Sequence, residues 1–132
     1  MSGVSESPAR LVREFHEAFD VARASAPEVV SAEVAEVRER LMAEEVGELA
    51  EAMRGGRLAE IARELADVVY VAYGTAVAYG IDLDAVLAEV HRANMSKLGP
   101  DGRPVVRDGK VQKGEHFRPP DVADVLRRQA GP

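Results

Sequence analysis

Residues 41–51 read LMAEEVGELAE and residues 64–68 read ELADV, and the register of these two stretches decides the fold. At about 100° per residue, Val34, Val37 and Ala52 fall within roughly 40° of Leu41, which predicts the buried stripe of one helix. Glu45 and Glu48 also fall within roughly 40° of Leu41, in the middle of that stripe, and Glu44 and Glu51 flank it. A water-facing amphipathic helix would carry its acids opposite the apolar arc, and these lie on it. In the second stretch Ile61, Leu65, Val68 and Ala72 are the expected stripe. Glu64 lies about 60° to one side, next to Val71 and Thr75, and Asp67 lies further along that side. Each helix presents two carboxylates three residues apart on one face. If the helices pack antiparallel, four carboxylates converge.

The punctuation around these stretches supports helices that pack as neighbours. Ser31 or Ala32 begins the first, and Gly55-Gly56 is a strong stop. The next runs from about Leu58 to Tyr79 and is closed by Gly80. Upstream, Ser7-Pro8 opens a helix expected to reach about Ala24, before Pro27, because proline suits the first helical turn. Downstream, Asp82 or Asp84 caps a fourth that reaches about Ser96. The short connections predict antiparallel packing. After Leu98 the composition changes. Gly99-Pro100-Asp101-Gly102 is turn chemistry, Val105 to Val111 reads as a hairpin around Asp108-Gly109, and Pro119-Pro120-Asp121 starts a short last helix. The expectation is one all-α domain. Residues 8–98 form a four-helix core, 99–119 a hairpin arm and 120–130 a short terminal helix.

The 132 residues are enough for one core and too few for two. The chain has no cysteine, which excludes disulfides, thiolate zinc sites and thiol nucleophiles. No apolar run reaches the roughly 20 residues of a membrane span, and no signal peptide is visible, so a cytoplasmic protein without a membrane partner is expected. The net charge of −6 opposes nucleic-acid binding. That charge is uneven: residues 1–98 hold 18 acids and 10 bases, whereas residues 99–119 hold 3 acids and 5 bases. A basic arm beside an acidic body is expected to dock, either as a lid over an acidic pocket or as part of a subunit interface.

Carboxylates on an apolar seam are costly, because like charges repel and burial strips their water. A proton or a cation must relieve them. An oxygen-only ligand set selects a hard ion, Mg²⁺ or Mn²⁺. A di-iron bundle would supply Glu-x-x-His pairs. None of His16, His91 and His116 stands three residues after a glutamate.

The pairing of a Glu45-x-x-Glu48 helix with a Glu64-x-x-Asp67 helix resembles the signature of the MazG-like all-α NTP pyrophosphohydrolases. That superfamily includes MazG, the dimeric dUTPases, the dCTP pyrophosphatases and phosphoribosyl-ATP pyrophosphohydrolase. The resemblance covers roughly residues 10–98, and residues 91–102, HRANMSKLGPDG, resemble its fourth-helix region. It implies Mg²⁺-dependent hydrolysis between the α- and β-phosphates of a nucleotide triphosphate, giving the monophosphate and pyrophosphate. Clearing of non-canonical nucleotides is one role this chemistry serves. By the same resemblance Glu45, Glu48, Glu64 and Asp67 hold the metal, with Glu44 or Glu48 acting on the attacking water. His16 lines the nucleotide pocket, and Asn94 and Lys97 approach the sugar and phosphates. Relatives often stack the base on tryptophan. This chain has none, which leaves Phe15, Phe19, Tyr70 or Tyr73 as substitutes. A homodimer or a tetramer is expected. Two other readings stay open: phosphoribosyl-ATP hydrolysis, and a non-catalytic helical dimerisation module.

Overall fold

Ser31 accepts a hydrogen bond from the Val34 amide and starts the longest helix, and Gly56, at φ +71°, ends it. The structure is a computed structural model that describes residues 7–131. It is all-α. In chain order come α1 (Pro8–Ala18), α2 (Ala32–Gly55), α3 (Leu58–Tyr79), α4 (Leu83–Met95), the strands β1 (Val106–Arg107) and β2 (Lys110–Val111), and α5 (Val122–Ala130). No single helix among the described residues is long and apolar enough to cross a membrane. Packing divides the chain into two compact units after Asp82, whereas the change of composition comes at Leu98.

In the first unit only Gly56 and Arg57 separate α2 from α3. Arg38 near the start of α2 meets Thr75 near the end of α3, while Glu48 further along α2 meets Glu64 near the start of α3. That register is antiparallel, as the short turn predicts. The buried faces are turned from the expected ones. On α2, Val37 is 46% exposed and Arg38 only 8%, so the packed side is rotated by about 40° towards Arg38 and Glu45. On α3, Leu65 is 50% exposed while Glu64, Asp67, Val68 and Val71 are half-buried. The acid-bearing side is therefore the packed one, and the apolar stripe assigned to α3 from periodicity needs correction.

The first helix also departs from expectation, ending at Ala18 rather than near Ala24. Asp20 adopts φ +53°, a left-handed conformation that aspartate tolerates and that stops helical propagation. The Arg23 guanidinium then donates to the His16 carbonyl at 3.3 Å and the Val21 carbonyl at 3.0 Å, satisfying the helix end. The chain continues across the end of α3, where the Ala24 and Glu28 amides donate to the carbonyls of Val77 and Tyr79. Gly80 has φ +69° and lies against the Ala26 carbonyl, so a side chain there would meet backbone.

Arg38 and His16 are the buried polar residues of this unit. Arg38 donates through Nε to Thr75 Oγ1 at 3.1 Å and through Nη2 to the Val71 carbonyl at 3.0 Å. Burial holds its pKa below the usual arginine value. Both side chains fit because position 74 is glycine. A Cβ there would fall on the Arg38 guanidinium and lie 3.0 Å from His16 Nε2.

In the second unit α4 packs with α5. The arm docks on the end of α4. The Gly114 amide donates to the Lys97 carbonyl at 3.1 Å, and the Arg118 amide donates to Ser96 Oγ at 2.9 Å. The expected hairpin is present, with Val106 opposite Val111. Asp108 and Gly109 have φ +54° and +74°, as a two-residue I′ turn requires. Glu89 ties the start of α5 to α4. Its carboxylate takes Arg92 Nε and Nη2 at 2.9 and 2.8 Å and the Asp121 amide at 2.8 Å. These donors, Arg92 foremost, hold its pKa down to about 2.

Two outcomes are expected. Gly74→Ala should lower stability by about 1–3 kcal/mol through overpacking against Arg38, read as a lower Tm with the helical signal intact. An unchanged Tm would show that the Arg38 guanidinium moves aside freely. Glu89 has a depressed folded-state pKa, so its contribution is full above its ordinary value near 4.5 and is lost as pH falls through about 2. Protection of the Asp121 amide from hydrogen exchange, relative to its intrinsic rate, should fall over that window, and in Glu89→Gln it should already be low at neutral pH.

Candidate metal centre

The α2–α3 hairpin places the two acidic pairs on one seam. Oxygen atoms of Glu45, Glu48 and Glu64 lie within 4.8 Å of one another, a spacing in which the three can hold one metal ion. Glu45 and Glu64 are half-buried and Glu48 is exposed. Asp67 is half-buried one turn along α3 from Glu64, and its charge acts on both Glu45 and Glu64. Glu44 is exposed beside this group.

The electrostatics are those of an unrelieved cluster. Burial pushes Glu45 above the ordinary carboxylate pKa, and repulsion from Glu48, Asp67 and Glu64 adds to it. Burial likewise raises Glu64, with repulsion from Glu48 and Asp67, while Arg63 pulls the other way. Glu48 stands within hydrogen-bonding reach of both, a favourable contact only when a proton or a cation is shared between the oxygens. Glu45 Oε2 and Glu64 Oε2 are shut off from solvent without a hydrogen-bond partner. Buried polar atoms in native proteins are almost always satisfied. Two orphaned carboxylate oxygens aimed into one cluster are what a hard divalent cation would satisfy, and no nitrogen or sulfur ligand belongs to the set.

A cleft of about 390 Å³ opens on this cluster. Glu48, Glu51, Arg57, Glu60, Arg63 and Glu64 line it. Arg57 and Glu60 form an ion pair at 2.8 Å, mostly in solvent.

The remaining candidates are placed differently. His16 is only 2% exposed, and its Nδ1 donates to the Ala22 carbonyl at 2.9 Å. Burial lowers its pKa, and the nearby Arg38 adds to that shift. With Nδ1 as the donor, Nε2 is the unprotonated nitrogen, on the side where Gly74 and Arg38 lie. Asn94, exposed, and Lys97, half-buried, belong to the second unit. Arg38 was not foreseen from the sequence, although its register about 60° from Leu41, on the flank that carries Glu45, was the available signal. Phe15 stacks with Phe19 and meets the edge of Tyr70, at ring distances of 4.6 and 5.7 Å, which groups three of the aromatic candidates on the α1–α3 face.

No curated protein sequence matches the chain. Among solved structures, a protein from Exiguobacterium sp. 255-15, described as a candidate NTP pyrophosphohydrolase, is 26% identical over 93% of this chain and 96% of its own, with a TM-score of 0.47. The model of the phosphoribosyl-ATP pyrophosphohydrolase family matches residues 12–94, a stretch that contains all four seam carboxylates. The chain belongs to the phosphoribosyl-ATP pyrophosphohydrolase family, within the MazG-like all-α pyrophosphohydrolase superfamily.

Proposed function

We propose that this pyrophosphohydrolase is Mg²⁺-dependent. It cleaves a nucleoside or deoxynucleoside triphosphate between the α- and β-phosphates, giving the monophosphate and pyrophosphate. The observation that carries the metal assignment is the pair of orphaned oxygens, Glu45 Oε2 and Glu64 Oε2, beside Glu48. In this reading Glu45, Glu48, Glu64 and Asp67 hold the ion, and Mn²⁺ can replace Mg²⁺. A bound divalent ion supplies charge neutralisation on the phosphates and makes water more acidic. Glu48, exposed at the mouth of the cluster, and Glu44 beside it are the groups that orient the attacking water and take its proton.

Asn94 and Lys97 serve the sugar and phosphates in this reading. His16, buried and tied to Ala22, is the pocket residue of α1 in this reading. Leu11, Leu65 and Val69 line an apolar hollow of about 320 Å³ in the lone chain, which supports a self-associating enzyme, a homodimer or a tetramer. A second reading is favoured by the family model itself: the substrate is phosphoribosyl-ATP, cleaved at the same bond.

A panel of NTPs, dNTPs and phosphoribosyl-ATP with Mg²⁺ separates the two readings by which substrate has the highest kcat/KM. Glu48→Gln and Asp67→Asn should each lower turnover by at least about 100-fold. The metal-free variants should melt no lower than the wild type, because removing one charge relieves repulsion. Wild-type turnover in both variants would remove the metal centre. Phosphorus NMR of the reaction should show monophosphate and pyrophosphate appearing together. A nucleoside diphosphate as first product would mean cleavage at the β–γ bond and overturn the reading.

A further inference from the structure

The cleft that opens on the acidic cluster has a second chemical character. Six charged residues line it, four carboxylates (Glu48, Glu51, Glu60 and Glu64) and two guanidinium groups (Arg57 and Arg63). As protein alone its charge is negative, so a polyphosphate is repelled. A divalent cation on the seam carboxylates offsets that charge, and the two arginines are then the fixed cations of the protein that line the same cleft. Arg63 is adjacent in sequence to Glu64, and its charge already reaches that carboxylate. Arg57 lies six residues earlier, about 9 Å along the helix axis, within the reach of two long side chains that bridge one extended anion.

We propose that Arg63, assisted by Arg57, is the phosphate-binding wall of the site and takes the β- and γ-phosphates, the part released as pyrophosphate. The assignment rests on the metal-dependent reading above. It adds a phosphate contact from α3, distinct from Lys97 in the second unit. Two features distinguish the arginines' roles. Arg63 has Glu64 beside it, and Glu64 is committed to the cluster, so its guanidinium meets the metal-bearing end of the anion. Arg57 is in a solvent-exposed pair with Glu60 at 2.8 Å. Such pairs contribute little in water, so exchanging Glu60 for a phosphate oxygen costs little. Guanidinium suits this task, because its planar fork makes two parallel hydrogen bonds to one phosphate.

The test uses the full chain and two probes, inorganic pyrophosphate with Mg²⁺ measured by calorimetry, and Mn²⁺ measured by electron paramagnetic resonance. Arg63→Gln should weaken pyrophosphate binding by about tenfold or more, as loss of a charged hydrogen-bond pair implies. Arg57→Gln should weaken it by less, and Arg63→Lys should recover part of the loss. Mn²⁺ affinity should hold or rise in all three, because no metal ligand has changed and the only charge removed is a cation. Both arginines are exposed, so these variants are expected to fold, which circular dichroism checks. Wild-type pyrophosphate affinity in the Arg57→Gln/Arg63→Gln double variant overturns the proposal, as does a wild type that binds no pyrophosphate in the presence of Mg²⁺. If the wild type binds no Mn²⁺ yet holds pyrophosphate in an Arg63-dependent way, the metal reading fails and the arginine wall stands.

Discussion

Repulsion among carboxylates on the seam of two antiparallel helices is the constraint from which the rest of the first unit follows. The hairpin turn of two residues, Gly56-Arg57, fixes α2 against α3 in one register. In that register Glu45, Glu48 and Glu64 face one another and Asp67 adds its field. Hydrophobic residues at those positions would give a better-packed and more stable hairpin. The chain instead keeps four acids on that seam, three of them half-buried and Glu48 exposed. Rigidity then serves the site. Helical backbone on both sides holds the oxygens at metal-binding spacing without help from loops.

The same seam carries a buried cation, and it does not relieve the acids. Arg38 lies seven residues before Glu45, about 10 Å along α2, which is too far for a direct pair. Its partners are neutral, Thr75 Oγ1 and the Val71 carbonyl. A guanidinium satisfied by neutral oxygens at one end, and carboxylates with orphaned oxygens at the other, leave opposite charges unneutralised within one hairpin. His16 adapts to this. It sits across Gly74 from Arg38, and burial keeps it neutral more readily than in water, which avoids two cations in contact. The absence of a side chain at position 74 is what lets the guanidinium and the imidazole share the space.

Much of this was legible before any coordinates. The limits of α2 and α3 follow from Ser31, Gly56 and Gly80, because caps and left-handed glycines are local signals. The acidic pairs stood out because they broke an apolar stripe, and the structure brings three of those four carboxylates within one ion's reach. The end of α1 was not legible. It depends on Arg23 folding back over the helix terminus, a contact that no periodicity announces. The rotation of the buried faces was missed for a related reason. Periodicity ranks residues by hydrophobicity, and here the packing is set by groups that rank as polar, Arg38 and Glu64. Leu65 and Val37, ranked as core, are left exposed in the lone chain.

The carboxylate motif and the family model identify a chemistry more sharply than a substrate, and the geometry explains why. In the proposed reading the seam acids and the adjoining cleft meet the phosphates and the attacking water. A nucleoside triphosphate and phosphoribosyl-ATP present the same α–β anhydride to such a site. Discrimination between them must come from groups that meet the base and the sugar, and the hairpin supplies none from its acidic face. The aromatic set formed by Phe15, Phe19 and Tyr70 lies where α1 packs on α3. The two helices that create the anhydride site are therefore free to stay the same while the elements around them change.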